Sequence, residues 1–339
     1  IGACQDHAMD FEPQPWHPPT DLGLAGAYSE NERLTGAALW DTGGIGPEDI
    51  ALDDERRPIT GLADGRILRL VEGAGPEVIG NTGGRPLGIE SIPGGGLIVS
   101  DADRGLLHME PDGTIEVLAD HFRANEFKVT NNASVAADGT IYFSVSSHRW
   151  PLPEFTTDIL ERSGTGRLYR RTPDGELTVL LDGLVFANGV ALSRDEDFVL
   201  VAETGSYRIH RVWLSGEKAG TSDVFVENLP GFPDNLSRAH DVFWCAIVRL
   251  RDRALDLTMP RPWARKVVNA LPEQLQPKPG RHGMVVAFDH SGRVVTTLQD
   301  PTGRVATTTS VRADGYRLYV GSLTEPHVAV AQLPTSFDF

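Results

Sequence analysis

The sequence predicts an all-β chain folded as a six-bladed β-propeller with four-stranded antiparallel blades and a short helical insertion in blade five. Three observations predict it. One unit of short strands recurs six times across the 339 residues. Asp-Gly pairs such as Asp64-Gly65, Asp112-Gly113, Asp138-Gly139, Asp174-Gly175 and Asp314-Gly315 punctuate these units, supplying the positive φ that tight hairpins require. The 36 Gly and 23 Pro otherwise fall between brief apolar runs, as expected of many strands and turns rather than of disorder.

The units follow one grammar: an apolar strand, a turn, a strand rich in Val, Ile, Leu, Phe or Tyr, a polar loop, and one or two further strands. Unit one opens at Pro47 with PEDIALDD and unit two at Pro86 with PLGIESIP. Unit three starts NNASVAADG at Asn131 and resumes as GRLYRRTPDG at Gly166. Unit four opens at Asn188 with NGVALSRD, and unit five starts DNLSRAHDV at Asp234 and resumes at Gly283. Unit six begins at Val305. A sheet of this size cannot bury both its faces alone, so stacking around an axis follows; units of roughly 40–50 residues suit propeller blades. A β-sandwich would not explain six copies.

The whole chain, 1–339, thus reads as a single domain. Residues 1–32 are irregular and are expected to wrap the outside, while Arg33 to Trp40 is expected to supply a strand that closes the last blade. The stretch 251–280 interrupts unit five with Arg and Lys among Leu, Trp and Val at loosely helical spacing. It reads as a short helical excursion over one face, broken early by Pro260 and Pro262.

Charge excludes several functions. With 31 Lys and Arg against 47 Asp and Glu, the formal net charge is −16, which repels nucleic acid and anionic lipid. No apolar run approaches the roughly 20 residues that span a bilayer, so the reading is of a soluble protein, with the cytoplasm favoured. Cys4 and Cys245 are the only cysteines, compatible with one disulfide or two free thiols.

In a propeller the innermost strands all start at one end of the central channel, so residues at the same phase of each unit face one another. Unit one places Glu48 there, unit three Asn131, unit four Asn188, and unit five Asp234 with Asn235; units two and six offer Leu87 and the neighbourhood of Val305 and Ala306. Singly, Asn before Gly or Asp before Asn is a turn signal. Together, at one repeat phase, they form an all-oxygen set without His or Cys, which selects Ca2+, with Mg2+ the weaker candidate because of its tighter octahedron.

The segments GPEDI around Glu48, GRPLGI at Gly84, FANGVALS at Phe186, DFVLVAET at Asp197 and FVENLPGFPDN at Phe225 carry a resemblance. In these the chain resembles the strictosidine synthase-like, adipocyte plasma membrane-associated protein-like branch of the calcium propellers. The wider group includes paraoxonases, gluconolactonases and diisopropyl fluorophosphatase. The resemblance runs from about Gly46 to the C-terminus and implies a channel Ca2+ held by Glu48, Asn131, Asn188, Asp234 and Asn235. It also implies hydrolysis of lactones, aryl esters or phosphotriesters with the substrate oxygen on the metal.

Three departures limit the carry-over. Leu87 stands where paraoxonases have a catalytic-looking His. Asp49 matches one side of their second, structural calcium site, but Asn132 stands where its Asp would be. In the stretch TTTSVRADG, Ser310 holds about the place of the blade-six Glu of strictosidine synthases, and no carboxylate lies between Thr307 and Arg312. Strictosidine condensation is therefore disfavoured.

The expected function is calcium-dependent hydrolysis of a small ester or lactone. Glu48 or Asp234 would act as general base, or Asp234 as nucleophile. His148 and His240, which follow inner strands, are candidate proton shuttles, although an exposed loop histidine explains each as well. Leu87, Trp150, Phe186 and Phe232 are expected near the mouth, favouring a partly apolar substrate. No G-x-S-x-G motif supports a metal-free hydrolase. The competing class is a non-catalytic binding propeller with a structural calcium.

Overall fold

The structure, a computed structural model, describes residues 10–239, 241–271 and 280–333. Six four-stranded antiparallel sheets account for nearly all of its strands, with one additional two-stranded ribbon, His121–Phe122 with Asn125–Glu126. Each sheet is a blade with its strands in simple sequence order. The innermost strands are Ile50–Leu52, Pro86–Ser91, Val129–Val135, Ala187–Leu192, Gly231–Ala239 and Thr308–Asp314. Blade six alone departs from sequence order at its edge. Its outermost strand, Ala38–Asp41, comes from the start of the chain and pairs with His327–Gln332, Ala38 opposite Val330. The closing strand therefore forms only at the end of the expected stretch Arg33 to Trp40, the residues before it making a turn, and it fastens the two ends of the propeller together.

The core lies between blades rather than at one centre. Phe198, Phe225, Phe243 and Phe288 pack blade four against blade five, and Trp244, Val285, Val311 and Leu318 pack five against six. Alternation along each strand places one apolar row toward each neighbouring blade, so inner strands are buried on both faces.

Three short helices cover one end of the channel: α1 (Phe155–Glu161), α2 (Arg253–Thr258) and α3 (Pro262–Asn269). The α1 segment was not anticipated from sequence. Its start, FTTD, contains two β-branched residues and has no capping side chain, so tertiary contacts hold it: Asp158 accepts from Ser147 Oγ and from Ser163 Oγ. In α2, Asp252 caps the first turn by accepting from Ala254 N and Leu255 N. Pro262 stands at the first turn of α3, where a missing N–H costs nothing, so this proline starts a helix rather than ending one.

The N-terminal segment runs irregularly over the surface, and its residues 28–34 lie along the outermost strand of blade five, where Asn31 Nδ2 donates to Thr297 Oγ1 at 2.9 Å and Gln299 Nε2 to Tyr28 O at 3.1 Å. It also crosses the helical cap: Gln14 N donates to Glu161 O at 2.8 Å and Trp16 N to Met259 O at 3.1 Å. Arg265, with no exposed surface, donates to both Leu160 O and Gln14 O at 2.6 Å. Trp16 lies beneath the Arg162 guanidinium, 3.8 Å from its ring centroid. Cys245 is buried and carries no disulfide among the described residues; Cys4 lies outside them.

Candidate metal centre

The inner strands share a local irregularity. Pairing skips from Thr130 to Ala133 in blade three, from Ala187 to Val190 in blade four, from Pro233 to Leu236 in blade five, and from Thr308 to Val311 in blade six. Each skip is a β-bulge with one extra residue, which turns side chains off the strand's ordinary alternation. Asn131 with Asn132, Asn188 with Gly189, and Asp234 with Asn235 are the bulged residues of blades three to five. In blade six the bulge holds Thr309 and Ser310, so these, rather than Val305 and Ala306, stand at the shared phase. Blade two has a smaller skip between Pro86 and Gly88, placing Leu87 at that phase as expected.

The structure brings Glu48, Asn131, Asn188, Asp234 and Asn235 to the channel end that the helices cover, each between 1 and 5% exposed. Asn235 Nδ2 donates to Glu48 Oε2 at 3.2 Å, and Asn131 Nδ2 donates to Ser146 Oγ at 2.9 Å. The amide of Asn188 and the backbone N–H of Asn235 both hydrogen-bond the Asp234 carboxyl group. With their N–H donors so used, these amides keep their oxygens. Oδ1 of Asn131, Asn188, Asp234 and Asn235 are all buried without a hydrogen-bond partner.

Four such oxygens at one place would cost about 1–3 kcal/mol each if nothing compensated them. An oxygen-coordinated cation satisfies all four at once, so the donor set fits a hard divalent ion of the calcium type. Among the described residues no group of three or more His, Cys, Asp or Glu could hold a metal. That is consistent with a site dominated by amides, which carries two carboxylates only.

Electrostatics agree. Burial, then the neighbouring Asp234 charge, holds Glu48 well above the usual carboxylate range, with Arg85 opposing. Burial pushes Asp234 up to about 8, against the bonds from Asn188 and Asn235. Two adjacent buried carboxyl groups that resist joint ionisation are what a divalent cation relieves.

Several supporting residues escaped the sequence reading. Arg85 Nη1 donates to Gly46 O at 2.9 Å, placing its charge beside Glu48. Thr309 Oγ1 donates to Glu48 O at 2.6 Å and Thr204 Oγ1 to Pro233 O at 2.7 Å, fixing the backbones that carry the carboxylates. Gly189 is also required. A Cβ there would lie 2.2 Å from Leu236 N and 2.5 Å from Asp234 O, so blades four and five meet at the site only because that residue has no side chain. Arg85 stands in GRPLGI and Gly189 in FANGVALS, but neither motif alone says which backbone it approaches.

His148 sits in an aromatic cluster with Phe127 and Tyr169; its Nδ1 bonds Glu126 O and its Nε2 bonds Tyr169 Oη, both at 2.9 Å. His240 lies outside the described residues. Leu87, Trp150, Phe186 and Phe232 are all buried. Leu87 packs with Val129 beneath Leu152, Phe186 faces Phe155 of α1 at 6.3 Å between ring centroids, and Phe232 meets Tyr207 edge-on at 4.9 Å. These positions lie under the helical cap, so any apolar group entering there must displace part of it.

Comparison with known proteins places this geometry. The sequence models of two families match: strictosidine synthase over residues 131–217 and the N-terminal part of strictosidine synthase-like proteins over residues 26–70. The human adipocyte plasma membrane-associated protein is 35% identical over 354 residues, covering 96% of this chain and 85% of its own length. Strictosidine synthase-like 10 of Arabidopsis thaliana is 34% identical over 325 residues, covering 86% of each chain. Among solved structures, a gluconolactonase from Xanthomonas campestris superposes with a TM-score of 0.65 at 20% identity, over 89% of this chain and 91% of its own. The calcium-binding protein regucalcin from Agrobacterium tumefaciens does so at 0.60 and 15% identity, over 87% of this chain and 95% of its own. These two share the fold. The chain belongs to the strictosidine synthase-like family of six-bladed propellers, on the branch of the adipocyte plasma membrane-associated proteins.

Proposed function

We propose that this protein is a calcium-dependent hydrolase of a small ester or lactone, with Glu48, Asn131, Asn188, Asp234 and Asn235 holding the ion. The observation that carries this reading is the set of four buried, unpartnered Oδ1 atoms beside Glu48. Gluconolactonase and calcium-binding proteins with the same fold support it. When bound, Ca2+ supplies Lewis-acid polarisation of a substrate carbonyl.

The chain's own residues do the rest. Asn188 and Asn235 hold the Asp234 carboxyl group in one orientation. Asp234 accepts a proton from the water that adds to the acyl carbon and returns it to the departing alkoxide, or itself attacks that carbon and expels the alkoxide, water then cleaving the acyl-enzyme anhydride; Glu48 is the alternative base. The helical cap excludes bulk water, so these dipoles act in a low dielectric. Both ring nitrogens of His148 are bonded within its own cluster, so the reading assigns it no proton transfer.

The depth of the site favours a second reading. With all five residues nearly inaccessible and helices above them, the ion would pin the blades of a non-catalytic binding propeller. A condensing activity of the strictosidine synthase type is less well supported, because blade six presents Ser310 rather than a carboxylate at the shared phase. The test is hydrolysis of phenyl acetate and a panel of small lactones, with calcium and then with excess chelator. Turnover lost with chelator supports the hydrolase. Absence of turnover, with a melting temperature that falls on chelation, supports the structural ion.

A further inference from the structure

At the opposite end of the channel the chemistry inverts. The inner strands of blades one, two, five and six finish around a cavity of about 300 Å³, lined by Arg56, Arg238, Arg312, Glu90 and Ser91 among others. Three guanidinium groups converge there against one lining carboxylate, in a chain whose formal net charge is −16.

Arg312 and Arg56 are each fixed by part of the fork, and Arg238 is anchored as well. Arg312 Nε donates to Ile50 O and its Nη2 to Glu90 Oε2, both at 2.8 Å, and its Nη1 has no hydrogen bond among the described residues. Arg238 Nε reaches Leu192 O of blade four at 3.1 Å. Arg56 gives Nε and Nη2 to Asp314 Oδ1 at 3.0 and 2.7 Å, leaving Nη1 at the exposed rim without a bond among the described residues. Ser91 Oγ, in the cavity wall, is buried with no partner. Cross-channel bracing accounts for the bonds these arginines make. It does not account for an orphaned hydroxyl or for gathering like charges around open space.

We propose that this cavity binds a small oxyanion, a phosphate or carboxylate group on a molecule of metabolite size. Anchored guanidinium forks lose little freedom on binding and match the paired oxygens of either group. Asp314 behind Arg56 and Asp49 beside Arg312 offset much of the cluster's charge, so the unspent guanidinium N–H groups and the Ser91 hydroxyl, rather than net charge, would hold a small anion. A polyanion would meet the repulsion of the whole acidic surface. The site is separate from the carboxylate end and does not depend on what that end does.

The test uses the purified full chain and two probes, inorganic phosphate and malonate, against sodium chloride at matched ionic strength. Calorimetric titration and melting temperature are read for the wild type, Arg238→Gln, Arg56→Gln and Asp234→Asn. Arg56 lies on the rim, so its replacement leaves the fold intact should Arg238→Gln fail to fold. The expected result is saturable binding of at least one probe and a rise in melting temperature above that in chloride. The dissociation constant should weaken about tenfold in the arginine variants, the loss of one charge-assisted contact, and stay unchanged in Asp234→Asn. Which probe binds identifies the group recognised. Equal behaviour in phosphate, malonate and chloride would overturn the proposal, as would binding that survives both arginine substitutions or disappears with Asp234→Asn.

Discussion

Asn132 Nδ2 donates to Asp49 Oδ2 at 3.0 Å, joining the inner strands of blades one and three. The same Asp49 oxygen accepts from Ile89 N of blade two at 3.0 Å, and Asn132 Oδ1 accepts from Val190 N of blade four at 2.8 Å. Four blades are thus tied by two side chains immediately behind the candidate metal residues. The position where the resemblance calls for a second acidic ligand is filled by an amide whose polar atoms are both in use.

This relay predicts a single ion. Direct metal analysis of the calcium-loaded protein should give one calcium per chain, not two. Asn132→Ala should lower stability by about 1–3 kcal/mol, measured by urea denaturation, because it leaves Val190 N without its partner and removes one of the two bonds to Asp49 Oδ2. A substitution costing less than a few tenths of a kcal/mol would mean the relay is dispensable.

Close approach of blades four and five predicts that Gly189→Ala is severe. Leu236 N at 2.2 Å from the added methyl group is backbone and cannot swing away. The strands carrying Asn188 and Asp234 must separate, so calcium affinity should fall about tenfold or more even in whatever fraction folds. Unchanged affinity in a folded variant would show that the two strands move apart without disturbing the site.

Glu203 predicts an acid-sensitive blade. Burial alone would raise its pKa, but hydrogen bonds from His210 and Arg208, the Arg208 charge and the Val185 N–H outweigh this and bring it down to about 2. A carboxylate depressed on folding stabilises fully above its unfolded pKa near 4.5, and that stabilisation is lost as pH falls toward 2. Stability should therefore drop by about 1–3 kcal/mol through this window, and Glu203→Gln should flatten that part of the profile. A wild-type profile flat between pH 5 and 3 would contradict the assignment.

The strap over the helices predicts a local effect. Arg265→Ala removes the bonds to Leu160 O and Gln14 O. Hydrogen exchange should rise in α1 and α3 by an order of magnitude or more while strands of blades one and two stay protected. Uniform acceleration would show that the cap and propeller unfold as one unit.

How far the sequence reached follows from these cases. The blades were legible because alternation and Asp-Gly turns are local signals, and Asn131, Asn188 and Asp234 stood out as polar residues opening apolar strands. The bulges that aim them were not, because a bulge depends on the partner strand; for that reason the blade-six phase was misplaced at Val305 and Ala306 rather than Thr309 and Ser310. Helix α1 lacked propensity and a cap, so only its tertiary bonds reveal it. The arginine cavity was invisible for a related reason: Arg56, Arg238 and Arg312 are far apart in sequence, and meet only because Arg238 and Arg312 stand near the ends of inner strands and Arg56 in the turn that follows one.

The central claim is that five buried oxygen-bearing residues form one cation site. Calorimetric titration of chelator-stripped protein with calcium chloride, for wild type and Asp234→Asn, tests it most directly. The account predicts one ion per wild-type chain and affinity at least about a hundredfold weaker once one of two ligand charges is removed. No heat of binding in the wild type, or equal affinity in both proteins, would contradict it.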